Sequence, residues 1–187
     1  MSAAVFLDKD GTLIHDVPYN VDPKLIRFRD DAADALLSLQ RAGYLLLLVS
    51  NQAGVAAGRY EESALTQVWS SLKAELGFEG VSLSGIYYCP HDDEAGCECR
   101  KPQPGMLRRA AEEHGIDLSA SWMVGDILDD VEAGRRAGCR TILLDVGSET
   151  EWRDGSWRQP DFQATSLTQA AELILRVDGK VTNRGGA

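Results

Sequence analysis

Short, fully apolar runs alternate along this chain with stretches whose apolar residues recur every three or four positions. Ala3 to Asp8 (AAVFLD) predicts a first strand that stops at acidic residues and Gly11. The segment DDAADALLSLQRAGY follows, with Ala32, Ala35, Leu36 and Leu39 at helical spacing and Gly43 as its stop. Tyr44 to Asn51 is apolar on both sides, as in a parallel sheet covered on both faces. Glu61 to Gly77 predicts a helix with Leu65, Val68, Trp69 and Leu72 on its apolar side, and Ser84 to Cys89 a third strand. Pro104 to Gly115 predicts a helix with proline in its first turn. A fourth strand (Ser121 to Asp126), a helix (Ile127 to Gly138), a fifth strand (Arg140 to Val146) and a closing helix (Ser166 to Val177) complete the series. Repeated β-α units of this kind predict an α/β, doubly wound, Rossmann-like parallel sheet. Residues 1–177 form one domain in this reading, and 178–187 a disordered tail.

Composition narrows the picture further. The 187 residues are 44% hydrophobic and 26% charged, which suits one domain with a full core. No apolar stretch approaches the roughly 20 residues of a membrane span, and no basic segment precedes an apolar one at the start, so a cytoplasmic location is expected. A net charge of −10 argues against nucleic acid or an anionic membrane as partner. It leaves room for a small phosphorylated metabolite, because a placed cation and a divalent metal override the global field inside a cleft. A monomer is expected.

A doubly wound sheet binds ligands beyond the carboxyl ends of its strands. The first strand delivers Asp8-Lys9-Asp10-Gly11-Thr12 there, and the second Ser50-Asn51-Gln52. Arg100-Lys101-Pro102 comes after the third, and Gly125-Asp126 ends the fourth, with Asp129 and Asp130 close behind. Asp8, Asp10 and Asp126 can converge only around a cation, and Mg²⁺ binds one or two carboxylates while leaving positions for phosphate oxygens. Ser50 supplies a hydroxyl and Lys101 a point charge suited to a phosphoryl group. One aspartate would attack phosphorus, and the other would act as acid and base. Which does which stays open on the residues alone. One of Asp129 and Asp130 reads as an acid at a helix N-terminus, and Asp130 reads equally well as a group that orders Lys101 or the waters of the metal.

Three of the four cysteines, Cys89, Cys97 and Cys99, lie within eleven residues, with His91 among them. Three sulfurs and one imidazole make a closed tetrahedral Zn²⁺ site, structural because it has no place for water. This zinc loop (89–99) would brace Arg100 and Lys101. Cys139 reads as a buried apolar residue, and Trp152 and Trp157 as packing under a long loop.

The DKDGT segment resembles the first signature of the haloacid-dehalogenase superfamily, and Ser50, Lys101 and GDILDD (125–130) match its other three motifs in order and spacing. SNQAGVAAGRY, IYYCPH and CRKPQPGM are similar to the branch acting on heptose 1,7-bisphosphate and to the histidinol-phosphate phosphatases. The resemblance implies Asp8 as nucleophile, Asp10 as acid/base, and Mg²⁺ on Asp8, Asp126 and the Asp10 carbonyl. It implies phosphate on Ser50 and Lys101, and substrate contacts from Asp16 to Tyr19, Asn51, Gln52 and Arg100. The short segment after the first motif implies a minimal cap. Phosphatase action on the heptose bisphosphate at C7, through an aspartyl-phosphate, is the leading expectation. Histidinol-phosphate hydrolysis and a zinc-stabilised binding module without turnover are the alternatives. The five-residue spacing between His91 and Cys97 and the acidic Asp92, Asp93 and Glu94 favour the histidinol branch, which handles an amine.

Overall fold

The computed structural model describes residues 1–180. Six parallel strands form one sheet in the order β3-β2-β1-β4-β5-β6. They are β1 (Ala4–Leu7), β2 (Leu45–Asn51), β3 (Gly85–Cys89), β4 (Trp122–Gly125), β5 (Arg140–Leu144) and β6 (Phe162–Ala164). Five helices connect or follow them: α1 (Ala32–Arg41), α2 (Leu65–Phe78), α3 (Gly105–His114), α4 (Leu128–Ala137) and α5 (Leu167–Val177).

The apolar runs of the central strands are buried on both sides, and alternate residues feed two cores. Val5, Leu7, Leu46 and Leu48 face α1, α2 and α5, while Ala4, Phe6, Leu47 and Val49 face α3 and α4. The helical spacing of Ala32, Ala35, Leu36 and Leu39 is the stripe that α1 lays on the sheet. Trp69 lies on the expected apolar side of α2: partly buried, it packs against the core that holds Val68 and Leu72, and its ring lies tilted against Tyr88 with centroids 5.6 Å apart.

The winding direction reverses between β1 and β4, so their carboxyl ends form the switch-point crevice. Register sets the crevice's contents. Leu7 pairs with Val124, and Asp8 N–H donates to the Val124 carbonyl at 3.0 Å. The first residue beyond β1 therefore lies beside the Gly125-Asp126 end of β4. Residues 9–31, between β1 and α1, contain one short 3-10 turn (Pro23–Leu25) and no inserted domain.

Two expectations are corrected. Strand β6 was not foreseen; its three residues carry no alternating pattern, and it gains its place by pairing with β5. The expected tail begins too early. Asp178 caps α5 and accepts hydrogen bonds from the Tyr44 hydroxyl and, at 3.0 Å, the Trp122 indole. It also pairs with Arg140 at 2.6 Å, and Lys180 sits 3.7 Å from the centre of the Tyr44 ring. The rest of that expectation, 181–187, lies outside the described residues.

Candidate active site

Lys101 is the hub of the crevice. It is 2% exposed, and its Nζ donates to an Asp8 carboxylate oxygen, to Asp130 Oδ1 at 2.6 Å and to the Val49 carbonyl at 3.0 Å. Burial would push the lysine pKa down, but the Asp130 and Asp8 carboxylates outweigh it and hold it above its ordinary value. Asp130, fully buried in the first turn of α4, also accepts from the Ile127 N–H at 3.3 Å. Both open readings of Asp130 thus hold at once: it caps the helix and orders the lysine. Asp129 turns outward to Arg158 at 2.8 Å.

Ligand oxygens of Asp8, Asp126 and Asp130 lie within 4.8 Å of one another, and all three residues are buried. Burial, then the Asp8 charge, pushes the Asp126 carboxyl up to about 6, against hydrogen bonds from Ser148 and Thr12. Thr12 Oγ1 donates to Asp126 Oδ1 at 2.8 Å. Three carboxylates against one lysine leave an excess of negative charge in a buried space, the condition that favours a cation.

The turn after β1 brings Gly11 against this cluster. Leu13 and Ile14 N–H both donate to the Lys9 carbonyl at 3.0 Å, and Arg29 Nε donates to the Gly11 carbonyl at 3.0 Å. Gly11 has φ +83°, a conformation glycine adopts without penalty.

The Asp10 carboxylate stands outside the three-carboxylate cluster. It pairs with Lys9 Nζ at 2.8 Å and accepts from Gln52 Nε2 at 3.3 Å. The Asp10 carboxylate is thus not among the groups that converge on the candidate metal position. Burial first, and the Asp8 charge after it, raise its pKa against the pull of Lys9. That is the direction a general acid needs.

Strand β2 ends in Ser50, Asn51 and Gln52. Gln52 Nε2 donates to Ser50 Oγ at 2.7 Å, and its Oε1 accepts from the Tyr60 hydroxyl at 2.8 Å. Asn51 is engaged with the backbone of Lys101: its Nδ2 donates to the Lys101 carbonyl and its Oδ1 accepts from the Lys101 N–H, each at 3.0 Å. This latch fixes the root of the hub lysine. Tyr60, Lys9 and Thr12 were missed as site residues by sequence reasoning; an aromatic nine residues past a strand end carries no spacing that would single it out.

Cys89, His91, Cys97 and Cys99 come together at the end of β3 as a second cluster that could hold a metal. Their ligand atoms approach at 2.9 Å (Cys89–Cys99), 3.4 Å (Cys97–Cys99) and 3.6 Å (Cys89–Cys97), with His91 Nδ1 at 3.4 Å from Cys89 and 3.3 Å from Cys99. None of the cysteines is in a disulfide. Cys139 is buried, as expected, whereas Trp152 and Trp157 are about half exposed rather than packed under their loop.

Two clefts flank the hub. One, of about 300 Å³, is lined by Asp10, Asp16, Tyr19, Asn51, Gln52 and Arg100, which brings together the expected substrate contacts. Tyr19 holds φ +57°, and its ring lies 5.4 Å under the Arg59 guanidinium. The other cleft, about 810 Å³, opens between the cysteine loop and residues 148–158, and Arg100 and Lys101 line it too. Arg100 donates to the His91 carbonyl at 3.2 Å and pairs with Asp93. No helix among the described residues is long and apolar enough to cross a membrane.

Comparison with known proteins fits this geometry. Residues 98–170 match the HAD-hydrolase-like family. The D-glycero-β-D-manno-heptose-1,7-bisphosphate 7-phosphatase of Pasteurella multocida is 39% identical over 180 residues, covering 93% of this chain and 97% of its own. The protein of the same name from Photorhabdus laumondii is 43% identical, covering 92% and 89%. Among solved structures, the D,D-heptose 1,7-bisphosphate phosphatase of B. bronchiseptica, complexed with magnesium and phosphate, superimposes with a TM-score of 0.79 at 29% identity, over 94% of this chain and 99% of that one. The chain belongs to the haloacid-dehalogenase-like hydrolases, in the family of the D-glycero-β-D-manno-heptose-1,7-bisphosphate 7-phosphatases.

Proposed function

We propose that this protein is a Mg²⁺-dependent phosphatase that removes the C7 phosphate of D-glycero-β-D-manno-heptose 1,7-bisphosphate through an aspartyl-phosphate on Asp8. The observation that carries this reading is the convergence of Asp8, Asp126 and Asp130 around Lys101 at the switch point. The names of the relatives and the magnesium and phosphate of the B. bronchiseptica enzyme support it.

Asp8, Asp126 and the Asp10 carbonyl are the groups that would hold Mg²⁺, whose oxygen-rich, negative surroundings suit it. When bound, the ion neutralises charge on the transferring phosphoryl group. Asp8 attacks phosphorus with one carboxylate oxygen. Lys101, whose three N–H donors are all engaged by the protein, exchanges its Asp8 contact for a phosphoryl oxygen while Asp130 keeps it in place. The Ser50 hydroxyl donates to a second oxygen. Asp10 protonates the departing C7 oxygen, then takes a proton from the water that hydrolyses the acyl phosphate. Arg100, on the rim of both clefts, is the cation for the remote phosphate, and Asp16 and Tyr19 meet the sugar.

Zn²⁺ suits the second cluster. With Zn–S bonds of about 2.3 Å, a tetrahedral site has sulfur–sulfur edges of about 3.8 Å, near the 3.6 and 3.4 Å that separate Cys97 from Cys89 and Cys99, while Cys89 and Cys99 stand closer at 2.9 Å. Its role is structural, bracing the segment that carries Arg100 and Lys101. A cytoplasmic monomer free of nucleic acid and membrane completes the reading.

The histidinol-phosphate alternative relies on acidic loop residues to meet an amine. Asp93 is already neutralised by Arg100, which weakens that case. Asp8→Asn should abolish Mg²⁺-dependent phosphate release while the fold persists; turnover at the wild-type rate in that variant refutes the mechanism. A comparison of kcat/KM for the heptose bisphosphate and histidinol phosphate decides the substrate, and a preference for the latter overturns the assignment.

A further inference from the structure

Tyr60 has no part in the reaction as described, yet its hydroxyl ends a chain of hydrogen bonds that begins at two reacting groups. Gln52 is 5% exposed and makes three contacts. Its Nε2 donates to Asp10 Oδ2 at 3.3 Å and to Ser50 Oγ at 2.7 Å, and its Oε1 accepts from Tyr60 at 2.8 Å. All of the amide's donors, and one of its acceptor positions, are thereby matched.

The backbone places the tyrosine there by design of the turn. Ala57 N–H donates to the Ala53 carbonyl at 3.0 Å and Arg59 N–H to the Gly54 carbonyl at 2.8 Å, which folds the chain back over the end of β2. The Tyr60 ring then packs directly against Gly54: a Cβ at that position would stand 2.3 Å from a ring carbon. Burial, and after it the Asp10 charge, keep the phenol pKa above its ordinary value, so the donor stays protonated.

We propose that Tyr60 is a positioning residue which, through Gln52, aims the Asp10 carboxylate and the Ser50 hydroxyl at the substrate phosphate. The logic lies in the amide's polarity. With Nε2 facing inward, Ser50 Oγ acts as acceptor toward Gln52, and its own hydrogen is left to point at a phosphoryl oxygen. An amide turned by 180° would set Oε1 against the Asp10 carboxylate and draw the Ser50 hydrogen toward itself. Tyr60 favours the first orientation by donating to Oε1 from outside, while Lys9 holds the other Asp10 oxygen at 2.8 Å. The contacts give Gln52 a role beyond touching the sugar.

This inference rests on the phosphatase reading, and the test separates the two. Steady-state kinetics with the heptose bisphosphate are measured for wild type, Tyr60→Phe, Gln52→Leu and the double variant, with circular dichroism confirming the fold of each. Tyr60→Phe, which removes one oxygen, should lower kcat about five- to tenfold with KM within about twofold. Gln52→Leu should lower kcat further, and adding Tyr60→Phe to it should cost nothing more, because the relay is already broken. Wild-type kcat in Tyr60→Phe, a change confined to KM, or losses that multiply in the double variant would each overturn the proposal. If wild type itself releases no phosphate, the phosphatase reading fails and takes the relay with it.

Discussion

A Cβ on Gly11 would stand 1.9 Å from Asp126 Oδ2, so the turn after β1 and the carboxylate after β4 share one van der Waals surface. Glycine is the residue that lets these two strand ends approach so closely. Gly11→Ala should therefore displace the Asp126 carboxylate and strain a backbone at φ +83°. The expected result is a fold that persists with turnover reduced about a hundredfold, read by kcat beside a thermal melt.

Lys101 is the cation paired with two buried carboxylates, so its removal strands charge where water cannot reach. Lys101→Met should destabilise the protein by about 3–5 kcal/mol in urea titration without added Mg²⁺ and abolish phosphate release. Adding Asp130→Asn should return part of the stability but none of the activity. A single variant as stable as wild type would contradict the charge balance.

The partly exposed and the buried cysteines should respond differently to a thiol reagent. With metal removed by a strong chelator, Cys97 and Cys99, which are partly exposed, should react in the folded protein. Cys89, fully buried with its thiol pushed up by that burial, and Cys139, buried and pushed up to about 12, should react only after unfolding. The measurement is thiol stoichiometry, about two per chain after chelation and four in denaturant.

Asp178 gives a pH signature away from the crevice. Burial raises its pKa, but Trp122, Tyr44 and Arg140 outweigh it and hold the carboxyl below the ordinary value of about 3.9. A depressed folded pKa means the ionised form adds stability at every pH above the unfolded value, and that share is lost as pH falls through the folded one. Asp178→Asn should cost about 1–3 kcal/mol near neutrality. The gap between wild type and variant should close below about pH 3.9, followed by urea midpoints across the acid range.

The architecture was legible because its strands are uniformly apolar and its helices striped, and because polar residues cluster where apolar runs stop. Asp8, Ser50, Lys101 and Asp126 could be singled out that way. Side-chain polarity at a distance could not. Asn51 and Gln52 stand adjacent in sequence, yet one latches the Lys101 backbone and the other bridges Asp10 and Ser50. That division depends on the alternation of faces at the end of β2 and on a turn that returns Tyr60. Asp130 shows the same limit: a first-turn acid is ordinary until tertiary packing brings a lysine from another segment beneath it. Strand β6 escaped because three residues at a sheet edge hold no period.

Tyr44, Trp122 and Arg140, which grip Asp178, stand at or just before the amino-terminal starts of β2, β4 and β5. Asp8, Lys101, Asp126 and Asp130 cluster at the opposite rim. The polypeptide therefore leaves α5 on the side of the sheet facing away from the crevice, and Ser2, paired to the Gly115 carbonyl at 3.0 Å, enters on that side as well. A protein immobilised through Ser2 or through Lys180 would present the crevice outward, open to small solutes.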